Sequence, residues 1–245
     1  MTHLYLIRHG EAVTNVEPII GGMRGDTGLS PLGVRQAEAL RDRLAATGEI
    51  AADLLIASTL PRARQTAVII APALGLPIVW EDDVQEMRVG EADGLRLDEF
   101  ARRYGVPDVE REPYRPLAPG GESWAQFLLR VGTTLRRIAD EHDGQTVVIV
   151  CHGGVIDGSM VCFFGMNTQA IPTVDFHTHN TSITHWERRT RETLPPRWRL
   201  VAYNDTAHLC DIGAVEHTHW EELRAKPVTG ADSPAVPLPT EPSGK

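Results

Sequence analysis

The chain has 245 residues, of which 42% are hydrophobic, 23% charged and 6% aromatic, the mix of an ordinary globular protein. That length holds one or two domains and buries a full core without a disulfide or a structural metal. Its 33 Asp and Glu against 24 Lys and Arg leave a net charge of −9, which excludes a general nucleic-acid or anionic-membrane binder, whose surface would be basic.

The first element is a short apolar strand, Leu4–Ile7, that stops at Arg8-His9-Gly10. A glycine-rich loop follows, with Gly21, Gly22, Gly25 and Gly28. Ser30-Pro31 then opens a helix in the usual order, hydroxyl cap before proline. Val34, Ala37, Leu40 and Leu44 keep one of its faces apolar. Leu54–Ile56 is the second strand. The next helix starts near Pro61, carries Ala63, Ala67, Ile70, Ala71 and Leu74 on one stripe, and stops at Gly75. Ile78–Trp80 is a third strand.

Residues 81–122 read as irregular, with one short helix around Leu97–Tyr104. The long helix after Ser123 buries Trp124, Phe127, Leu128, Val131, Leu135 and Ile138, and Asp143-Gly144 ends it. The β-branched run Thr146–Val150 suits a central parallel strand covered on both faces. It passes through Cys151-His152-Gly153-Gly154 straight into another helix. Thr181–Glu187 and Trp198–Tyr203 alternate as a hairpin would, across a loop 188–197 whose four arginines read as a solvated tip.

After Trp220 the chain has no aromatic residue and collects Pro227, Pro234, Pro237, Pro239 and Pro242, so residues 221–245 are expected to be a disordered tail. Residues 1–220 would form one catalytic domain. Strands alternating with helices make this an α/β chain with a mainly parallel sheet. The longest apolar stretch, Ala67–Trp80, is interrupted by Pro72, Gly75 and Pro77 and is shorter than the ~20 residues of a membrane span. Met1–Arg8 has no basic leader or apolar run of a signal peptide. Cys151, Cys162 and Cys210 are odd in number with no CxxC spacing, so free thiols and a cytoplasmic location are expected.

Two strand ends deliver a histidine followed by glycine, His9-Gly10 and His152-Gly153. Ligands of open α/β sheets bind beyond the carboxyl ends of strands, where both histidines belong. A helix starting at Gly153 points its positive end at an anion. Arg62, in the first turn after the strand ending near Ser58, faces the same crevice. With Arg8 it completes a pocket for a dianion, since guanidinium groups match phosphate oxygens.

Arg8-His9-Gly10-Glu11, the segment Ser58–Ala67 and His152-Gly153-Gly154 resemble the three signatures of the histidine phosphatase superfamily, in its phosphoglycerate mutase-like branch. Leu29–Ala37, Pro119–Ser123 and Asn204–Leu209 extend the resemblance, in order, over about residues 3–210. It implies a three-layer α/β/α sandwich and a phosphatase whose nucleophile is His9. Arg8, Arg62 and His152 would hold the phosphoryl oxygens, joined by Asn15 and the Gly153 turn. Ala12 replaces the threonine of the family's RHGETxxN pattern.

Glu86 matches the family's general acid by its spacing to Gly90 and Gly94, with Glu91 and Asp93 as nearby rivals. Glu11 reads as structural, Arg64 as a surface residue and Cys151 as a buried small hydrophobe. No metal or organic cofactor is expected, and the partner is a small phosphorylated substrate rather than nucleic acid or membrane; self-association stays open.

Three other functions stand against hydrolysis. A phosphoglycerate mutase would use the same histidine, but such mutases carry RHGESEWN where this chain has Ala12-Val13-Thr14-Asn15. A metal-dependent hydrolase would use the pairs His177/His179 and His217/His219, since alternate residues of an extended chain share a face. A non-catalytic phospho-ligand binder would not need every catalytic position. Residues 16–28 and 95–121, including Arg24, Arg111, Tyr114 and Arg115, are expected to wall the substrate site.

Overall fold

The computed structural model describes residues 1–166, 174, 176–190 and 193–212. The proline-rich tail and the pair His217/His219 lie outside them. Six strands form one sheet: β1 (Thr2–Arg8), β2 (Leu54–Ser58), β3 (Ile78–Glu81), β4 (Thr146–Cys151), β5 (Ile183–Arg189) and β6 (Arg197–Asp205), in the order β3-β2-β4-β1-β5-β6. The pairs β1/β4, β2/β4 and β2/β3 are parallel; β1/β5 and β5/β6 are antiparallel. The sheet is therefore mainly parallel, with an antiparallel hairpin at one edge.

Side chains alternate across each strand, so one sheet feeds two cores. Leu4, Leu6, Val147 and Ile149 pack against helices α5 (Trp124–Glu141) and α6 (Gly153–Phe163) on one face. Ile7, Leu55, Val148 and Val150 pack against α2 (Pro31–Thr47) and α3 (Pro61–Leu74) on the other. This is the expected three-layer sandwich. Among the described residues no helix is long and apolar enough to cross a membrane.

The helix starts follow their signals. The Ser30 hydroxyl accepts the Gly33 N–H at 3.0 Å with Pro31 in the first turn, and Ser123 forms a reciprocal capping box with Gln126. The short helix α4 spans Leu97–Tyr104, as expected, and buries Leu97 and Phe100 in a small third cluster with Ile20, Ala92 and Ala118. One turn is new: α1, Val13–Val16, which has no apolar stripe to announce it.

The hairpin differs from the sequence reading. Pairing continues to Arg189 on β5 and from Arg197 on β6, so three of the four arginines lie in strands rather than at a solvated tip. Arg188 is largely buried; it donates to the Ala139 carbonyl at 2.8 Å and pairs with Asp140. Hydrogen bonding along the ladder and to α5 outweighs the charge of the segment.

Candidate active site

Because β4 lies between β1 and β2 and all three run parallel, their carboxyl ends open side by side. Arg8 pairs in register with Cys151, and Ala57 with Val150. The His9 N–H continues the ladder to the Cys151 carbonyl at 3.0 Å, while His152 is the cap residue of α6. Three residues remote in sequence, His9, Ser58 and His152, thus meet at one edge of the sheet. Gly10 is required here: a Cβ on it would lie 2.4 Å from the Gly33 carbonyl oxygen at the start of α2.

The His9 ring is buried and fixed at both nitrogens. Nδ1 lies 2.7 Å from the Gly10 carbonyl oxygen. A carbonyl only accepts, so Nδ1 carries the proton and Nε2 keeps its lone pair. Arg62 Nε donates to that Nε2 at 3.1 Å. Burial, then the charges of Arg62 and Arg8, hold the His9 pKa well below 6.5, so the ring is neutral at neutral pH. His152 stands beside it, with ring centroids 5.1 Å apart. Its Nε2 meets the Ser58 hydroxyl at 2.7 Å, and its buried Nδ1 has no partner among the described residues. Burial first, then Arg62, His9 and Arg8, lower its pKa in the same direction.

Arg62 projects from the first turn of α3 and is held by a residue to which the sequence alone assigns no role. The Asp26 carboxylate, fully buried, accepts from Arg62 Nη1 at 2.8 Å, from the Arg62 backbone N–H at 3.1 Å and, through its other oxygen, from the Gly28 N–H at 2.9 Å. Removing one partner of a buried ion pair strands the other charge. Asp26→Ala is therefore expected to destabilise the fold by about 3–5 kcal/mol, read as a lower urea midpoint with an unchanged slope. A loss below 1 kcal/mol would mean that water takes over the role of the carboxylate.

Arg8 reaches the Thr178 carbonyl with Nη1. The Asn15 side-chain oxygen accepts the Ala12 N–H at 2.9 Å, which leaves its NH2 as the donor end. Glu86 sits across α6: one carboxylate oxygen accepts the Gly154 N–H at 3.0 Å and the other accepts the Met87 N–H at 3.0 Å. A Cβ on Gly154 would lie 2.3 Å from that carboxylate, so the second glycine of the HGG sequence makes room for Glu86. Arg130, paired with Glu122 at 2.6 Å, staples this loop to α5 by donating to the carbonyls of Asp83, Gln85 and Glu86.

Arg8, His9, Asn15, Arg62, Glu86 and Gly153 line one cavity of about 510 Å³; His152, fully buried beside the His9 ring, is not part of that lining. The rivals of Glu86 do not line it. Asp93 binds the backbone N–H groups of Gly22, Arg24 and Gly25 and so ties down the glycine-rich loop; Glu91 is exposed and accepts from Tyr104. Glu11 is buried against Ser30 and Gln36, and Arg64 stacks over Trp80 at 4.2 Å on the surface.

The expected wall residues need correction. Arg24, Arg111 and Arg115 pair with Asp93, Asp108 and Glu112 outside the cavity, and Tyr114 is exposed. Nearby opposite charges hold those arginines at the surface. The cavity wall is built instead from apolar residues of the same segments and from Phe176, His177 and Thr178. The His177 and His179 rings stand edge to face at 4.6 Å, and no group of three or more His, Cys, Asp or Glu among the described residues is arranged to hold a metal. Ser58, Asp26, Thr178 and Asn180, whose NH2 donates to the His9 carbonyl at 2.9 Å, are the parts of the site that sequence reasoning missed. Ser58 alone left a signal, as a polar residue ending an apolar strand.

The model of the histidine phosphatase superfamily (branch 1) matches residues 4–206. The chain is 32% identical over 182 residues to a 2,3-bisphosphoglycerate-dependent phosphoglycerate mutase of Methylobacterium sp. (strain 4-46), covering 71% of this chain and 86% of that one. It is 29% identical over 226 residues to a metal-independent phosphoserine phosphatase of Arabidopsis thaliana, covering 88% and 87%. A mycobacterial glucosyl-3-phosphoglycerate phosphatase, solved in complex with VO3, superposes with a TM-score of 0.67 at 26% identity over 82% of this chain and 98% of that one.

Proposed function

This chain belongs to the histidine phosphatase superfamily and is a phosphatase, and we propose that it hydrolyses a small phosphomonoester, without a metal, through a phosphohistidine at His9. The observation that carries this reading is the His9 ring itself: neutral, with its Nδ1 proton donated to the Gly10 carbonyl and its Nε2 lone pair accepting from the Arg62 guanidinium.

In the first step Nε2 attacks phosphorus and the bond from phosphorus to the alcohol oxygen breaks. Glu86, in its protonated form, gives that oxygen a proton, so an alcohol leaves rather than an alkoxide. Arg8 and Arg62 neutralise the charge spreading over the phosphoryl oxygens, and His152, Asn15 and the Gly153 N–H at the head of α6 orient them. In the second step water attacks the phosphohistidine, the Glu86 carboxylate takes its proton, and phosphate departs. His9 returns to the neutral state in which it began. The two guanidinium groups supply the positive charge that a metal ion would otherwise bring.

A second reading is favoured by the mutase relative. In a mutase a second substrate hydroxyl, rather than water, would take the phosphoryl group from His9. The two readings separate in one assay. With EDTA present and no bisphosphorylated primer, steady release of phosphate is expected. Interconversion of 2- and 3-phosphoglycerate that depends on a primer, with little phosphate released, would reverse the choice. Activity lost in EDTA and restored by zinc or manganese would instead favour metal-dependent hydrolysis.

A further inference from the structure

The apolar part of the cavity lining carries a further inference, which rests on the hydrolase reading above. Ile20, Met87, Val106, Val109, Leu117 and Trp124 converge there from the glycine-rich loop, the Glu86 loop, the segment after α4 and the start of α5. Among the described lining residues, Arg8 and Arg62 are the only Lys or Arg, and both belong to the phosphate end. The chain from Asn167 to Asp175 carries no lysine or arginine in its sequence. Arg88, between Met87 and Val89 in sequence, pairs with Asp83, and Arg24, Arg111 and Arg115 lie nearest Asp93, Asp108 and Glu112; none of the four lines the cavity.

We propose that the alcohol part of the substrate is apolar, an alkyl or aryl group without a carboxylate, and that Val106, Val109 and Leu117 select it. A carboxylate transferred into this cavity would lose water and meet no guanidinium or ammonium beyond the pair already occupied by phosphate. Apart from His9, Asn15 and Glu86, the other polar side chains of the lining are Thr14, Asp157, His177 and Thr178, one of them an acid. An apolar group gains free energy with each methylene that leaves water for the wall. The volume of about 510 Å³ falls in the range of sites that enclose ligands well beyond a bare phosphate in size. Phosphoglycerate, phosphoserine and glucosyl-3-phosphoglycerate, named for the relatives, all carry a carboxylate. This chain would therefore share their phosphate chemistry and differ in what it releases.

The test uses the whole protein and the n-alkyl phosphates from methyl to hexyl. Their alcohols are almost equally basic, so kcat/KM along the series reads contact with the wall rather than leaving-group chemistry. It is expected to rise by about two- to fourfold per methylene, and hexyl phosphate should exceed 3-phosphoglycerate and phosphoserine by more than about tenfold. Val109→Lys, at a half-buried position, should lower the hexyl-to-methyl ratio about fivefold and raise 3-phosphoglycerate relative to hexyl phosphate. A flat alkyl series, or 3-phosphoglycerate or phosphoserine preferred over hexyl phosphate, would overturn the proposal while leaving the hydrolase reading intact. Release of no phosphate from any ester would overturn the hydrolase reading and this proposal with it.

Discussion

His9→Ala is expected to abolish phosphatase turnover, with a loss on the order of 10⁴–10⁶ in kcat/KM, the scale seen when a positioned nucleophile is removed. The rest of the site would still bind phosphate, because Arg62 keeps its Asp26 partner and His152 its Ser58 partner. Water in the vacated space would have neither the position nor the nucleophilicity of Nε2. The fold should survive: the ring makes one backbone hydrogen bond, one hydrogen bond with Arg62 and a contact with the His152 ring, and none of these belongs to the two main cores. Near-unchanged circular dichroism with activity gone is the expected pair of observations. In the wild-type enzyme, an alkaline quench during turnover should leave phosphate on His9, located by mass spectrometry of its peptide. Substantial activity in the variant would remove the covalent mechanism.

Glu86→Gln removes the proton that the leaving oxygen receives in the first step. An alkyl phosphate must release a strongly basic oxygen, so protonation lowers that barrier greatly, whereas nitrophenolate leaves almost unaided. Glutamine keeps the size of the side chain, and its oxygen can still accept one of the two backbone N–H groups that Glu86 binds, Gly154 or Met87, but it cannot act as the acid. The expected loss of kcat/KM for alkyl phosphates is on the order of 10²–10⁴, with a much smaller loss for nitrophenyl phosphate. The comparison belongs in kcat/KM, which covers steps through the first irreversible one and so isolates transfer to His9. Turnover at saturation can fall for both esters, because hydrolysis of the phosphohistidine calls on the same carboxylate as base. Equal losses of kcat/KM on both ester types would remove Glu86 from the acid role.

The choice among Glu86, Glu91 and Asp93 shows where sequence reasoning ran short. All three lie within eight residues, and spacing ranked them without separating them physically. Glu86 faces the cavity because the Gly154 N–H, 68 residues away, receives its carboxylate and Arg130 holds its loop. Asp93 is turned to the backbone of the glycine-rich loop, 68 to 71 residues away. None of these partners can be read from neighbours in the chain.

What the sequence determined by itself is whatever depends on adjacent residues. Apolar periodicity marked the strands and helices, because burial on one face needs only a local repeat. Arg8-His9 and His152 follow their strands directly, so placing the strands placed the histidines at the carboxyl edge of the sheet. The motifs carried the phosphate-binding groups for the same reason.

Tertiary structure decided the rest. Asp26 meets Arg62 across 36 residues and Ser58 meets His152 across 94, pairings that exist only once β4 has inserted between β1 and β2. The character of the substrate wall was settled there too. Arg24 looked like a substrate contact in sequence, yet Asp93, 69 residues away, pairs with it outside the cavity, and apolar side chains from four separate segments line much of that cavity. Burial and ion pairing act over distances in space, and a local pattern of residue types carries no record of which distant segment will supply the partner.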